Sequence, residues 1–284
     1  MKKLLQDRSI GHQICFFIIS LTVISDLMYY LPIADTLFGT NNISGMPINN
    51  FLYPIITLEN GPSIIIISLI IAFLIYNFTR FKLLLILIFP VYYYLLDINT
   101  LFQDASNDII FLVITFTCLY HVFDKLFPTK PYKNLFLSAI MIQMCIIYFF
   151  TATGKITQQV WTNGGAAIYY SIGTDFSAML GFNQWLLEHD ILLRFLSLFT
   201  LVFEYSFPFL IWFKRTRVLA VLAGITFHVG IYFTLRIEDF SWVMIATYFL
   251  FFTDTEYQWV QEKVRQFFAK FSRRKGVQML LDNE

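Results

Sequence analysis

Long apolar runs separated by short polar stretches are the feature that most constrains the fold of this 284-residue chain. A helix that crosses the roughly 30 Å hydrocarbon core of a bilayer needs about 20 mostly apolar residues. Only 14% of the residues are charged, against about 25% in an average soluble domain. The pattern predicts an all-α, polytopic helical membrane protein with about eight transmembrane helices, at residues 10–31, 62–79, 82–98, 108–123, 134–151, 192–213, 217–235 and 240–253.

The distribution of basic residues predicts the orientation of these spans, because Lys and Arg are enriched in cytoplasmic loops. With eight spans and a cytoplasmic N-terminus, all but three of the 20 Lys and Arg residues lie inside, the exceptions being Lys155, Arg194 and Arg236. Seven spans would place a strongly basic C-terminal segment outside. We therefore expect both termini in the cytoplasm of a multi-pass cell-membrane protein, with a bacterial inner membrane favoured over a eukaryotic endomembrane.

Two segments of the sequence stand apart from the spans. Residues 152–190 are predicted to form a long outer loop, rich in Gly and aromatic residues, and loops of that length are usually functional or disordered. Residues 254–284 are predicted to form a basic amphipathic cytoplasmic tail, which either lies on anionic lipid or is solvated. The expected division is thus a transmembrane domain over residues 1–253 and a tail over residues 254–284. The first apolar run, residues 10–31, is predicted to be a retained helix and not a signal peptide, since no small-residue cleavage site follows it.

Ionisable side chains inside apolar spans are costly, so they mark candidate functional positions. Three occur here: Asp26 in the first span, Glu204 in the sixth and His228 in the seventh. A rise of about 1.5 Å per residue places Asp26 and His228 about 8 and 10 Å from the outer ends of their spans. Lys155 comes just after the fifth span. These side chains are predicted to line a cavity that opens to the outer face.

These residues have both a chemical and a packing interpretation. Partial desolvation favours the neutral form of a lysine, so Lys155 is a candidate base, and His228 is a candidate to orient or shuttle a proton. Tyr232 lies one helical turn beyond His228 and shares its face. In the alternative, Glu204 only satisfies backbone groups freed by Pro208, and the other span residues make ordinary packing hydrogen bonds.

The sequence lacks the motifs of soluble enzymes, such as GxSxG, the P-loop and HExxH. Its three cysteines, Cys15, Cys118 and Cys145, lie in apolar runs without zinc-type spacing, so neither disulfides nor a metal site are expected. The basic residues are scattered over membrane-proximal loops, which excludes a nucleic-acid-binding platform.

Three blocks, in the same order along the chain, resemble the HTTM (horizontally transferred transmembrane) domain family. They are Gln143–Lys155 with Trp161–Gly164, Phe203–Leu210 with Arg215–Arg217, and Phe227–Ile231 with Phe240–Ala246. The pair Asn107-Asp108 also resembles a family position, and the resemblance covers roughly residues 100–253. It implies a helical membrane domain.

The resemblance also implies a candidate chemistry, because the family includes the membrane part of vitamin K-dependent gamma-glutamyl carboxylases. In those enzymes the lysine at the Lys155 position is taken as the base that deprotonates vitamin K hydroquinone on the lumenal side. A reduced quinone is thus the implied cofactor. Lys155 and His228 are the candidate catalytic residues, and Trp161, Glu204 and Asp108 are candidate supporting or cavity-lining residues. Two departures leave gamma-carboxylation open: the paired lysines of the carboxylases are here Gly154-Lys155, and their large lumenal substrate domain has no counterpart in these residues.

Three functions are compatible with the sequence. The first is a carboxylase-like membrane enzyme, of lyase or ligase type, that uses a quinol or another lipid-soluble reactant to modify a secreted peptide or other extracytoplasmic substrate. The second is a non-enzymatic membrane partner for the maturation or export of a peptide, since the family includes a member required to mature a secreted toxin. The third, a transporter, is disfavoured because two related halves are not visible in the sequence.

Overall fold

A computed structural model describes residues 6–39, 51–79, 81–98, 105–129, 132–162, 166–174 and 180–281. Within these ranges every regular element is helical and there is no β-strand. The helices are α1 (Ser9–Tyr30), α2 (Ala34–Phe38), α3 (Tyr53–Ile56), α4 (Gly61–Thr79), α5 (Lys82–Asp97), α6 (Ala105–Leu126), α7 (Lys133–Ile156), α8 (Gln159–Thr162), α9 (Ala166–Ile172), α10 (Leu180–Leu187), α11 (Asp190–Leu210), α12 (Lys214–Leu235), α13 (Glu238–Tyr248) and α14 (Asp254–Leu281).

Six helical segments in the described part of the chain are long and apolar enough to cross a membrane. They are Ser9–Phe38, α4, α6, α7, α11 and α12. A helix also lies over each of the other two apolar runs, but α5 and α13 have only 16 and 11 residues. The six long helices are the ones that satisfy the length requirement without help from the surrounding protein.

The outer surface of these helices is apolar, as a lipid solvent requires. Phe78 and Ile191 are each 85% exposed, and Phe150 on α7 and Leu219 on α12 are also largely exposed. Soluble monomers rarely expose large contiguous apolar patches. Together with the six long apolar helices, this surface shows that the chain is a multi-pass integral membrane protein.

The bundle is organised around α7 and α13. Helix α7 packs between α6 and α11, while α13 contacts α1, α6 and α12. One continuous apolar core extends through these contacts, from Cys15 on α1 to Phe251 in the 3₁₀ turn after α13. A short helix such as α13 is therefore buried by its neighbours, and α11 and α12 bring their polar residues next to α7.

The segment predicted as a long loop, 152–190, is largely helical where it is described. Helix α7 continues to Ile156, so Lys155 lies in its last turn and not beyond the helix. The helix extends beyond the apolar run because α11 packs alongside it. Helices α8, α9 and α10 follow; residues 163–165, which include Gly164 of the first family block, and residues 175–179 lie outside the described residues.

The segment predicted as a basic tail is the helix α14, and residues 282–284 lie outside the described residues. Its first residue joins it to the bundle: the Asp254 carboxylate accepts hydrogen bonds from the backbone N–H groups of Ser9 and Ile10 and from the Ser9 hydroxyl. A carboxylate at that position satisfies free N–H groups at the start of α1. Contact of α14 with lipid stays a prediction.

Candidate functional site

A cavity of about 470 Å³ lies among helices α7 to α13, and most of its wall is apolar. Phe199, Phe227 and Phe240 are among its aromatic lining residues. Its polar lining includes Lys155, Glu204 and His228, together with several Ser and Thr hydroxyls. The volume is in the range of small-molecule sites, which are mostly apolar with a few convergent polar groups.

The Lys155 ammonium and the Glu204 carboxylate form an ion pair across the α7–α11 contact. The distance from Lys155 Nζ to Glu204 Oε1 is 2.5 Å, and the two side chains are 19% and 5% exposed. Lys155 Nζ also lies 4.5 Å from the centre of the Trp161 ring, within the range of a cation–π interaction. Within the described residues, Glu204 Oε2 is buried and has no hydrogen-bond partner. The pair therefore faces the cavity with one acceptor oxygen unused.

His228 belongs to a chain of three polar side chains behind the same cavity. Its Nε2 atom lies 2.7 Å from the hydroxyl of Tyr148, and that hydroxyl contacts the hydroxyl of Tyr248. Nδ1 of His228 is buried without a partner among the described residues. The ring is only 1% exposed, so the tyrosine contact fixes its orientation. Whether Nε2 donates or accepts depends on the tautomer of the ring.

Close packing of α12 on α13 positions the Tyr248 ring at the end of this row of three polar side chains. A Cβ atom on Gly224 would come within 2.7 Å of Cζ and the hydroxyl oxygen of Tyr248. Only a glycine lets the tyrosine ring lie directly against the backbone of α12. The fold thus places the Tyr248 hydroxyl next to that of Tyr148.

The cavity brings together four of the residues predicted from the sequence, Lys155, Trp161, Glu204 and His228. Among the described residues the Glu204 carboxylate pairs with Lys155 and makes no hydrogen bond to the backbone near Pro208, so the packing interpretation does not describe this side chain.

The other three predicted residues lie elsewhere. Asp26 is half-buried on α1 and Asp108 is exposed in the first turn of α6, where a carboxylate suits the positive end of the helix. Tyr232 is also absent from the cavity wall: its ring packs 6.0 Å from that of Trp242. Four residues rotate a helix position by about 40° beyond a full turn, which turns Tyr232 away from the cavity wall that His228 lines.

Two residues of the site, Tyr148 and Tyr248, were not identified from the sequence. Tyr148 precedes Lys155 by seven residues, which is two helical turns, so both lie on one face of α7. A tyrosine hydroxyl at that spacing inside an apolar span was a usable signal. Tyr248 had no such signal, because α13 reaches Tyr148 only through tertiary packing.

The described residues contain no cluster of three or more His, Cys, Asp or Glu side chains that could hold a metal ion. What the arrangement offers is an ammonium group, an unused carboxylate oxygen and an unused imidazole nitrogen, all bordering an apolar cavity. In a low-dielectric site such groups bind strongly to a ligand that carries hydroxyl groups.

The fold and the site define a helical multi-pass membrane protein with a polar cluster enclosed in its bundle. The HTTM domain family matches residues 38–259, which is most of the chain, and the protein belongs to that family. No curated protein and no solved structure matches it.

Proposed function

We propose that this protein is a membrane enzyme that binds a quinol or another lipid-soluble reactant and uses it to modify a secreted peptide or other extracytoplasmic substrate. The observation that carries the proposal is the apolar cavity with the Lys155–Glu204 ion pair at its wall and Glu204 Oε2 unused. A buried ion pair in a membrane protein is costly to maintain, which supports a functional role over a stabilising one.

The lining of the cavity supports an aromatic, lipid-soluble ligand. Phe199, Phe227 and Phe240 offer ring faces, and Trp161 covers the Lys155 ammonium. Aromatic rings pack favourably against one another in offset or edge-to-face arrangements. A quinol ring fits this environment and carries hydroxyl groups that the polar cluster can bind.

Proton transfer from such a hydroxyl group is the chemical step that the site supports. With such a reactant bound, Glu204 Oε2 would accept the proton of its hydroxyl group, and the Lys155 ammonium would hold the oxygen that gives up the proton. Lys155 and Glu204 share protons as a coupled pair, so the pair acts as the base that the sequence assigned to Lys155 alone. His228 then positions the ligand through its unused Nδ1 atom.

The proposed orientation has eight spans with both termini in the cytoplasm of a bacterial inner membrane. Helix α13 is buried among its neighbours and α5 packs against α4 and α6, which supports their crossing with help from neighbouring protein. The site then faces outward, toward a secreted substrate. Labelling of a single cysteine placed at exposed Tyr170, with the three native cysteines replaced, tests this orientation: access from the cytoplasm alone would contradict it.

Organic extraction of the purified protein, followed by mass spectrometry, tests ligand binding. We expect a quinone at near-stoichiometric amount in the wild type and in the control Arg194→Ala, which removes another predicted outer cation. Lys155→Ala should lose the quinone when its amount is expressed per mole of folded, purified protein. Equal retention of quinone, or none in any of the three proteins, contradicts the proposal and favours a non-enzymatic partner in peptide maturation or export.

A further inference from the structure

The proton of the His228 ring sits on one of its nitrogens, and the side chains around the ring determine which. Nε2 lies 2.7 Å from the hydroxyl of Tyr148, which also contacts the hydroxyl of Tyr248. Nδ1 is buried without a hydrogen-bond partner among the described residues, and His228 lines the apolar cavity. Since a neutral histidine donates from one nitrogen and accepts at the other, the position of the proton decides what His228 presents to a ligand.

The environment of the ring favours its neutral form. His228 is only 1% exposed, and the rings of Phe227 and Phe240 lie 5.2 and 5.6 Å from it, centre to centre. Among the described residues of the cavity wall Glu204 is the one carboxylate, and it is already paired with the Lys155 ammonium. Burying an unpaired charge costs far more than burying a hydrogen-bonded neutral group. The His228 ring therefore carries a single proton.

With that proton on Nδ1, each hydroxyl group in the row of His228, Tyr148 and Tyr248 finds an acceptor. The Tyr248 hydroxyl donates to the oxygen of Tyr148, and the Tyr148 hydroxyl donates to Nε2 of His228. Only the Nδ1–H group is left over. It belongs to a residue of the cavity wall, so a bound ligand can accept its hydrogen bond.

With the proton on Nε2 instead, more polar groups of the row are left without partners. Nε2–H then donates to the oxygen of Tyr148, so either the Tyr148 or the Tyr248 hydroxyl has no acceptor among the described residues, and Nδ1 has no donor. Tyr248 does not line the cavity, and its hydroxyl packs against the backbone at Gly224, so a ligand does not reach it. Because each unsatisfied buried polar group is destabilising, the Nδ1–H form is favoured.

We propose that Tyr148 is a positioning residue that holds the proton of His228 on Nδ1, so that His228 donates a hydrogen bond into the cavity. Tyr248 supports this arrangement, because its hydroxyl donates to the Tyr148 oxygen and competes there with Nε2–H. The ligand atom that contacts Nδ1 is then a hydrogen-bond acceptor, such as a carbonyl, ether or hydroxyl oxygen.

The two unpaired atoms on the cavity wall thus have opposite hydrogen-bonding characters. Glu204 Oε2 accepts and His228 Nδ1–H donates, and both residues line the same apolar cavity. The site selects an apolar ligand that offers a hydroxyl hydrogen at one polar position and an acceptor oxygen at another. A quinol meets both requirements. That match rests on the proposed function, whereas the position of the His228 proton does not.

Solid-state NMR of the full-length protein in a lipid bilayer, with isotope-labelled histidine, reports the proton position directly. Protonated and unprotonated ring nitrogens resonate far apart, and the bonded ring carbons identify each nitrogen, since Nδ1 is bonded to Cγ and Nε2 to Cδ2. The signals lost in His228→Gln, or backbone assignment where that variant does not fold, identify this ring among the four histidines of the chain. We expect the proton on Nδ1 and a bare Nε2 in the wild type.

Two variants that each remove one hydroxyl group from the same row separate positioning from packing. Tyr148→Phe removes the donor to Nε2, so the single Nδ1–H state should be lost and Nε2–H should appear. Tyr248→Phe keeps the hydrogen bond from Tyr148 to Nε2 and should leave the proton on Nδ1. A merely structural role of Tyr148 would lower stability without moving the proton. Where Tyr148→Phe does not fold, the wild-type spectrum still decides the position of the proton.

Titration with durohydroquinone and with durene tests the ligand chemistry, after bound lipid-soluble material has been removed by detergent exchange under an inert atmosphere. Both probes have the same methylated ring, but only durohydroquinone carries oxygens. The Nδ1 signal of His228 should shift saturably with durohydroquinone and not with durene. Tyr148→Phe should weaken the apparent affinity for durohydroquinone about threefold to tenfold, and Tyr248→Phe by less than about twofold.

The proposal is overturned if the wild-type ring carries its proton on Nε2 or on both nitrogens, or if Tyr148→Phe leaves it on Nδ1 alone. The assigned ligand chemistry is overturned if durohydroquinone moves the Nδ1 signal no more than durene does. Failure of the proposed function is distinguishable from these results: a purified protein that contains no quinone but carries the His228 proton on Nδ1 contradicts the proposed function and supports the role of Tyr148.

Discussion

The ion pair between Lys155 and Glu204 allows a quantitative test of how the site is held. Lys155→Met and Glu204→Leu each replace one partner by an apolar residue of similar volume and leave the other charge without its partner. Since the two side chains are only 19% and 5% exposed and their charged atoms lie 2.5 Å apart, each single change should lower the free energy of unfolding by about 3–5 kcal/mol. The double variant leaves no unpaired charge and should unfold with a free energy close to that of the wild type.

The double-mutant cycle isolates the interaction, because the coupling is the part of the double-variant effect that the two single effects do not explain. Reversible unfolding in mixed detergent micelles, followed by far-UV circular dichroism, supplies the four free energies. We expect a coupling of at least about 3 kcal/mol. The pair of Lys82 and Asp124 is the control: the Lys82 side chain is 49% exposed, so its cycle should give no more than about 1 kcal/mol. A Lys155–Glu204 coupling below about 0.5 kcal/mol refutes the reasoning.

Three further changes test other parts of the structure. Tyr148→Phe leaves Nε2 of His228 without its partner and should lower the free energy of unfolding by about 1–3 kcal/mol. Gly224→Ala puts a Cβ atom within 2.7 Å of the opposing tyrosine ring and should destabilise by about 1–3 kcal/mol. Burial alone would raise the pKa of Glu256, but hydrogen bonds and the charge of Arg217 lower it below its usual value of about 4.3. Its contribution to stability is therefore complete above the unfolded-state pKa and is lost as the pH falls through the folded-state pKa. Glu256→Gln should cost up to about 1 kcal/mol at neutral pH and flatten the loss of stability in acid.

Each of these changes has a matched control. Tyr248→Phe keeps the contact between Tyr148 and His228, so it should cost less than Tyr148→Phe. Gly230→Ala, on the same helix as Gly224, meets no atom within 4 Å and should be neutral or stabilise by up to about 1 kcal/mol. Glu262→Gln removes an exposed carboxylate from α14 and should leave the acid limb of the stability curve unchanged. Equal effects of a variant and its control contradict the corresponding prediction.

Membership of the HTTM family and the helical membrane fold were both predictable from the sequence. The apolar runs give the helices because each span must satisfy its own backbone hydrogen bonds in lipid. The three family blocks, which include Lys155, Glu204 and His228, gave the resemblance that the match over residues 38–259 confirms. The number of crossings and the orientation stay predictions, since six helices alone meet the length criterion among the described residues.

Rotation of each helix about its own axis was much harder to predict. In a soluble helix the apolar stripe marks the buried face, but a membrane helix is apolar toward both lipid and neighbours. Tyr232 shows the consequence: helical spacing placed it on the face of His228, whereas it packs against Trp242 on α13. Asp26 was predicted to line the cavity, but no residue of its helix, α1, is among the described residues of the cavity wall.

The sequence by itself determined that this chain is a bundle of membrane helices that carries costly ionisable groups within its apolar runs. Only the tertiary structure decided that the carboxylate of Glu204 pairs with Lys155 and that the hydroxyl of Tyr148 holds His228. The physical reason is that depth follows from the distance along one helix, whereas a contact between helices depends on the packing of segments far apart in sequence. The contacts made by Lys155 and His228 join different helices and therefore depend on this packing.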